Sequence, residues 1–178
     1  MRIFVAALIP EEIRLQLTNY IDSLKQDVDG VKWEKSDKLH VTLKFLGDVD
    51  EHKTDEILDS LENLVEGYSP FNVNISDFGG FPNLKRPRVL YAGLSHNSEL
   101  SKFHYEMERD LYSLGFKKEE HGFIPHITLA RVKNRINIKE TPPITQSSFD
   151  ITQVGLIESE LGPKGSVYTP VKLFKLEN

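Results

Sequence analysis

The stretch Leu39-His-Val-Thr-Leu-Lys-Phe-Leu46 decides the interpretation of this chain, and Pro125-His-Ile-Thr-Leu-Ala-Arg131 repeats its centre. Apolar and polar residues alternate in the first stretch, which is typical of a β-strand whose two faces meet different surroundings. The alternation predicts one buried face, made of Leu39, Val41, Leu43 and Phe45. It predicts a second, polar face that carries His40, Thr42 and Lys44.

The tetrapeptide His-x-Thr-Leu occurs at 40–43 and again at 126–129, and each copy follows a strand and a helix. An internal repeat of this kind suggests two related lobes. We expect an α+β fold over 1–178, a single domain of two intertwined, pseudo-symmetric lobes. Their antiparallel sheets would face each other across a central groove, with helices packed outside.

Sequence periodicity places the remaining elements. Helices are predicted from Glu11 to about Val28, from Asp50 to before Gly67, and from Ser98 to before Gly115. Strands are predicted near 2–9, 31–33, 71–78, 88–94, 126–132, 148–158 and 166–176. The stretch 133–147 is predicted to be a connection.

Composition excludes several classes of protein. With no cysteine, the chain cannot form disulfides, thiolate metal sites or a thiol nucleophile. A net charge of −5 disfavours a protein that coats long nucleic acid. Local basic clusters remain, at Lys85, Arg86 and Arg88 and at Lys133, Arg135 and Lys139. The apolar start, 2–10, is too short to span a bilayer, so we expect a cytoplasmic protein.

The two histidine–threonine pairs are the candidates for chemistry. Residues i and i+2 of a strand share a face, so His40 lies beside Thr42 and His126 beside Thr128. If the two lobes bring these pairs together, two imidazoles can exchange protons around one phosphorus atom while the hydroxyls hold its oxygens. One such tripeptide would be a weak signal, but two matched copies are a strong one.

The sequence resembles the 2H phosphoesterases, and among them the RNA 2′,3′-cyclic phosphodiesterases, also called 2′-5′ RNA ligase-like proteins. The resemblance runs nearly end to end. Beyond the two motifs it rests on segments at 2–6, 33, 81–82, 86–93, 114–116 and 158–168. The two-lobed architecture is expected mainly because of this resemblance.

The resemblance implies metal-independent hydrolysis of a terminal 2′,3′-cyclic phosphate to a 2′-phosphomonoester. It implies that His40 is the proton donor, that His126 is the acceptor, and that Thr42 and Thr128 contact phosphate. Spacing alone does not distinguish donor from acceptor. The implied partner is RNA with a cyclic phosphate end, or a small nucleotide. We also expect no cofactor, no metal, no membrane or protein partner, and a monomer.

Further residues are weaker candidates for the site. Arg131 matches the family and could bind phosphate, but strict alternation puts it on the face opposite His126 unless a β-bulge re-aims it. Lys44 shares the face of His40 but could be merely solvated. Four aromatic residues could stack on a base or simply pack: Phe123, Trp33, Phe81 and Tyr168. His52, His96, His104 and His121 are interpreted as structural or exposed.

Other functions remain open at this point. A zinc site lacks a third ligand at suitable spacing, and no serine-hydrolase or phosphate-loop motif occurs. The same scaffold could instead catalyse 2′-5′ ligation, cleave 2′-5′ linkages or open a small cyclic nucleotide. A protein that only binds RNA ends would not require two matched acid–base groups.

Overall fold

The computed structural model describes residues 1–138 and 140–177, and within them the chain forms three α-helices, one short 3₁₀ helix (Ser36–Lys38) and nine strands. The α+β class predicted from the sequence is confirmed. The helices are α1 (Glu11–Lys25), α2 (Glu51–Val65) and α3 (Ser98–Ser113). The strands are β1 (Arg2–Leu8), β2 (Val31–Trp33), β3 (His40–Asp48), β4 (Phe71–Phe81), β5 (Val89–Leu94), β6 (His126–Val132), β7 (Ser147–Ile151), β8 (Gln153–Gly162) and β9 (Gly165–Lys175).

The described strands form one antiparallel sheet in the order β7-β4-β5-β6-β3-β1-β8-β9, with β2 added beside β6. Each His-x-Thr-Leu strand lies near the centre, because β3 and β6 pair at Val41 and Ile127. On one side β1, α1 and β3 form a strand–helix–strand unit, and on the other β5, α3 and β6 form its counterpart. The two expected sheets are thus halves of a continuous one.

Local sequence fixes the helix ends. Asp50 caps α2 by accepting a hydrogen bond from the Lys53 backbone N–H, and Asn97 caps α3 in the same way from Leu100. Gly115 ends α3 with a φ of 98°, a left-handed conformation that glycine adopts without steric cost.

The faces of the sheet have different roles. In β1, Ile3, Val5 and Ala7 belong to the main hydrophobic core with the buried stripes of the helices, whereas Phe4 and Ala6 belong to a separate cluster on the other face. His40 stacks on Phe4, with ring centroids 5.1 Å apart. The histidine–threonine pair of β3 therefore lies on the face away from the helices.

The predicted strand at 148–158 was wrong in one respect, since it is two strands that separate at Thr152. β7 pairs with β4 and β8 pairs with β1, so the chain passes from one half of the sheet to the other. Apolar residues continue on both sides of the break, and for this reason the pattern gave no sign of the change of partner.

None of the helices among the described residues is long and apolar enough to cross a membrane.

Candidate active site

A cavity of about 680 Å³ opens where β3 and β6 meet, on the face away from the helices. Both predicted histidine–threonine pairs line it. The other lining residues include three charged side chains, Glu34, Lys38 and Arg131, and five aromatic or apolar ones, Phe45, Phe81, Phe123, Ile124 and Tyr168. The structure thus brings the two motifs to one cavity.

The two histidines are held in the same way. His126 Nδ1 donates to the Ile124 carbonyl oxygen at 2.7 Å, and His40 hydrogen-bonds the Lys38 carbonyl, again two residues earlier. A carbonyl can only accept, so the ring nitrogen that contacts it carries the hydrogen. In His126 this leaves Nε2 for proton transfer. In His40, Nε2 lies 2.9 Å from Thr42 Oγ1.

A β-bulge lies at the leucine of each His-x-Thr-Leu motif and changes which side chains reach the cavity. The pairing register of β3 with β1 shifts next to Leu43, and that of β6 with β5 shifts next to Leu129. Alternation is broken there, so the residue five positions after each histidine turns towards the cavity. In β6 this residue is Arg131. The bulge that Arg131 needs in order to share the face of His126 is therefore present.

In β3 the equivalent residue is Phe45, and the prediction that it belongs to the buried face was wrong. Its side chain borders the cavity and is 62% exposed. The two bulges therefore give the pseudo-symmetric site two chemically different sides, one cationic and one aromatic.

Burial lowers the pKa of both histidines. The pKa of His40 falls from 6.5 to about 4, chiefly because the ring is buried, and the nearby charges of Arg131 and of a protonated His126 lower it further. The pKa of His126 is also lowered, first by burial and then by Arg131, although the Ile124 carbonyl opposes the shift. Both rings are therefore neutral at pH 7 in the free protein.

Glu34 is a site residue that was not predicted from the sequence. Its carboxylate Oε1 lies 3.6 Å from Arg131 Nε, and its side chain is 14% exposed. Burial raises the pKa of Glu34, while Arg131, Lys38 and Lys32 act in the opposite direction. Arg131 also hydrogen-bonds Tyr168. A polar residue directly after Trp33 was the only sequence signal.

Lys44 was placed wrongly by the alternation. Its side chain touches the cavity but is 4% exposed, and Nζ is bound to Glu108 Oε1 at 2.7 Å and to the Lys117 carbonyl at 2.7 Å. The bulge after Thr42 turns it towards α3 and the segment that follows. Its charge is used inside the protein, so the side chain is not solvated, and a contact with phosphate stays a prediction.

The aromatic candidates have different positions. Tyr168 packs edge-on against His40, with centroids 5.6 Å apart, and Phe81 packs edge-on against His126 at 4.9 Å. Phe123 stacks flat on His104, with centroids 3.9 Å apart, and both border the cavity. Trp33 packs against the core instead and does not line the cavity.

The remaining histidines and the basic clusters also differ in whether they line the cavity. His121 borders the cavity, whereas His52 and His96 do not. The two predicted basic clusters contribute no cavity-lining residue among those described, and Lys139 lies outside the described residues. Within residues 1–138 and 140–177, no three histidine, aspartate or glutamate side chains form a group that could hold a metal ion.

Comparison with known proteins places this geometry in a family. A family model described as LigT-like phosphoesterase matches residues 8–91 and 94–168. The chain is 32% identical to the RNA 2′,3′-cyclic phosphodiesterase of Methanothermobacter thermautotrophicus, covering 99% of each protein. It is 34% identical to the protein of the same name from Methanocaldococcus jannaschii, covering 97% of this chain and 99% of that one.

Solved structures agree with the sequence relatives. A protein of Thermus thermophilus superposes with a TM-score of 0.88 at 30% identity, covering 99% of this chain and 98% of that one. Escherichia coli LigT complexed with 3′-AMP superposes with a TM-score of 0.82 at 26% identity, with the same coverage. The fold predicted from the resemblance is confirmed.

Proposed function

Because this chain belongs to the LigT-like phosphoesterase family, we propose that it hydrolyses the 2′,3′-cyclic phosphate at an RNA end to a 2′-phosphomonoester. One observation supports this proposal most strongly. His40 and His126 reach the same cavity, and each ring is oriented by a carbonyl two residues before it. Two oriented imidazoles are what a displacement at phosphorus needs for its two proton transfers.

The proposed reaction is one displacement at phosphorus. His126 takes a proton from water through Nε2 as the water oxygen forms a bond to phosphorus. The bond from phosphorus to O3′ breaks, and His40 gives its proton to that oxygen. The product carries a 2′-phosphate. After the reaction His126 is protonated and His40 is neutral, and the starting state is restored when His126 loses its proton and His40 gains one.

The lowered pKa values fit these roles once substrate is bound. The cyclic phosphate brings a negative charge next to both rings, which favours the protonated form of one of them. The repulsion between His40 and His126 disfavours protonation of both. The pair would therefore share one proton, as an acid and a base must.

Thr42, Thr128 and Arg131 would stabilise the charge that develops on the non-bridging oxygens. All three line the cavity, and Arg131 is held by Glu34 and Tyr168. A bound nucleotide in the relative E. coli LigT supports a nucleotide as ligand. The proposed scheme requires no metal. A cytoplasmic location and a monomeric state stay predictions.

The test is to incubate the purified protein, with EDTA present, with an oligonucleotide that ends in a 2′,3′-cyclic phosphate. We expect hydrolysis, with the product carrying a 2′-phosphate. His40→Ala and His126→Ala should each lower activity at least about 10²-fold with little loss of fold. The exposed His96 serves as the matched control, and His96→Ala should keep full activity.

A panel of substrates separates the competing functions. Faster turnover of 2′-5′-linked dinucleotides than of cyclic phosphates would replace the proposed substrate. Binding of RNA ends without turnover, unchanged in both histidine variants, would make the protein a binding module.

A further inference from the structure

We propose that Lys32 and Lys38, next to Arg131, form a second phosphate site, which takes the 5′-phosphate of the nucleotide that carries the cyclic end. This inference rests on the proposed function and narrows its substrate to cyclic ends that carry a 5′-phosphate, as in an RNA chain, rather than nucleoside 2′,3′-cyclic phosphates that lack one. In an RNA chain that 5′-phosphate is the first phosphodiester upstream of the reacting group.

The first observation is a pair of like charges placed directly opposite each other. Lys32 on β2 is the register partner of Arg131 on β6. Side chains that face each other across an antiparallel pair lie on the same side of the sheet, and like charges in these positions are destabilising. An anion bound between them would remove that repulsion.

The ammonium group of Lys38 lies close to that of Lys32, beside Gly165. The Lys32 and Lys38 ammonium nitrogens lie 2.6 Å and 3.7 Å from the point that a Cβ would occupy on Gly165. Gly165 begins β9 with a φ of 113°, so a larger residue would be strained and would also collide with Lys32. The turn between β8 and β9 thus leaves room for both ammonium groups.

The charge balance of this group is positive. Glu34 pairs with Arg131. Lys38, Lys32 and Asp37 also lie near enough for their charges to affect Glu34. Within the described part of the chain, neither Lys32 nor Lys38 lies within 4.0 Å of a carboxylate oxygen. Three cations and two carboxylates leave an excess of positive charge in a protein whose net charge is −5.

The position of the group relates it to the reacting phosphate. Lys38 lines the cavity, its carbonyl holds His40, and its Nζ lies 5.6 Å from the centre of the Tyr168 ring that packs against His40. The excess charge is therefore beside the histidine proposed to protonate the leaving O3′. That O3′ belongs to the same ribose whose 5′ oxygen carries the next phosphate.

The test compares adenosine 2′,3′-cyclic phosphate with the same nucleotide bearing a 5′-phosphate, so that only one phosphate is added and no base. We expect kcat/KM to be about tenfold higher for the 5′-phosphorylated substrate at low salt and to fall more steeply with salt. Lys32→Gln and Lys38→Gln should each reduce this preference and lower the salt slope by about 0.7 to 1. Lys35→Gln, on the same segment and exposed, is the matched control and should keep the preference.

Equal kcat/KM for the two substrates, or a preference that survives the Lys32→Gln/Lys38→Gln double variant, would overturn the inference. If neither substrate is hydrolysed, the proposed function fails instead. The second site is then tested by titrating adenosine 2′-phosphate and adenosine 2′,5′-bisphosphate. Tighter binding of the bisphosphate that depends on both lysines would support the site, and equal binding would reject it.

Discussion

At the scale of single residues, the site is defined by how each imidazole is held. The hydrogen bonds to the Lys38 and Ile124 carbonyls fix the orientation of both rings, and burial keeps both rings neutral in the free protein. The protein thus enters the reaction without a charged acid in place. The substrate must supply the negative charge that stabilises one.

This arrangement predicts the pH dependence. For kcat/KM, which reports the free protein, we expect a bell-shaped profile with both limbs below pH 6.5, because both histidines have a lowered pKa. For kcat, which reports the complex, the limbs should move to higher pH, because the bound phosphate favours imidazolium. Initial rates with a cyclic mononucleotide between pH 4 and 9 would measure both profiles. A basic limb of kcat/KM above pH 6.5 would contradict the prediction.

Glu34 predicts an unusual separation of binding from turnover. Without its carboxylate, Arg131 keeps its full charge but loses a partner that orients it. We expect Glu34→Gln to bind inorganic phosphate several-fold more tightly, because an unpaired cation attracts anions more strongly, while kcat falls about tenfold.

Inhibition by phosphate and kcat would be measured in parallel on Glu34→Gln and on Glu120→Gln. Glu120 is exposed and does not line the cavity, so its variant should behave as the wild type. A merely structural role of Glu34 would weaken phosphate binding together with kcat.

The sequence predicted the four residues of the two motifs, because a repeated tetrapeptide is visible without a structure. It missed Glu34, whose role depends on β2 lying beside β6, a long-range pairing. It misplaced Lys44 and Phe45, because simple alternation assumes a regular strand, and left Arg131 dependent on a bulge. The β-bulges set the direction of these side chains, and no residue type in the sequence predicts where those bulges occur.

At the scale of elements, the segment after α3 forms one wall of the cavity and is held in place by hydrogen bonds to side chains of β3 and α3. The Lys44 ammonium donates to the Lys117 carbonyl, and Glu108 Oε2 accepts from the Glu119 backbone N–H. The same two side chains form a buried ion pair. One pair of charges thus connects β3, α3 and the wall that carries Phe123.

Removing one member of this pair should cost more than removing both. Lys44→Met or Glu108→Leu leaves an uncompensated buried charge, and we expect each to lower the free energy of unfolding by about 3–5 kcal/mol. The double variant should recover much of that loss. Urea unfolding would measure all three.

An exposed ion pair provides the matched control. Lys172 and Glu62 lie 3.3 Å apart with side chains about half exposed, and their removal should cost at most about 1 kcal/mol. A double variant of the buried pair that is as unstable as the two single ones together would show that the two charges act independently.

The helices and most strands were predictable, because their apolar periods and caps are local. The division of the predicted strand 148–158 was not, since β7 and β8 differ in partner and not in composition. Pairing across the sheet is decided by the whole fold, and a local pattern does not contain it.

At the scale of the whole molecule, the site lies where two similar halves of one sheet meet, and neither half is complete without the other. β3 supplies His40 and Thr42, while β6 supplies His126, Thr128 and Arg131. The bulges give the two halves different side chains at equivalent positions. The same architecture brings two basic rings and a guanidinium into one partly buried cavity, and this has a cost for stability in acid.

That cost predicts the pH dependence of folding. His40 has a folded pKa of about 4 against 6.5 for an unperturbed ring, so the unfolded chain takes up its proton first as the pH falls. The stability that depends on neutral His40 is complete above pH 6.5 and is lost as the pH falls towards 4. Between pH 6.5 and 4.5 we expect His40 to account for a loss of about 2 kcal/mol, since one pKa unit corresponds to about 1.4 kcal/mol.

Urea unfolding of the wild type and of His40→Asn at several pH values would measure this contribution. His126 and His104, whose pKa values are also lowered, should add to the loss in both proteins, so the difference between the two isolates His40. The variant should lose less stability than the wild type over this range. Parallel curves for the two proteins would show that the environment of His40 does not disfavour its protonation. The shared proton proposed for catalysis would then lose its physical basis.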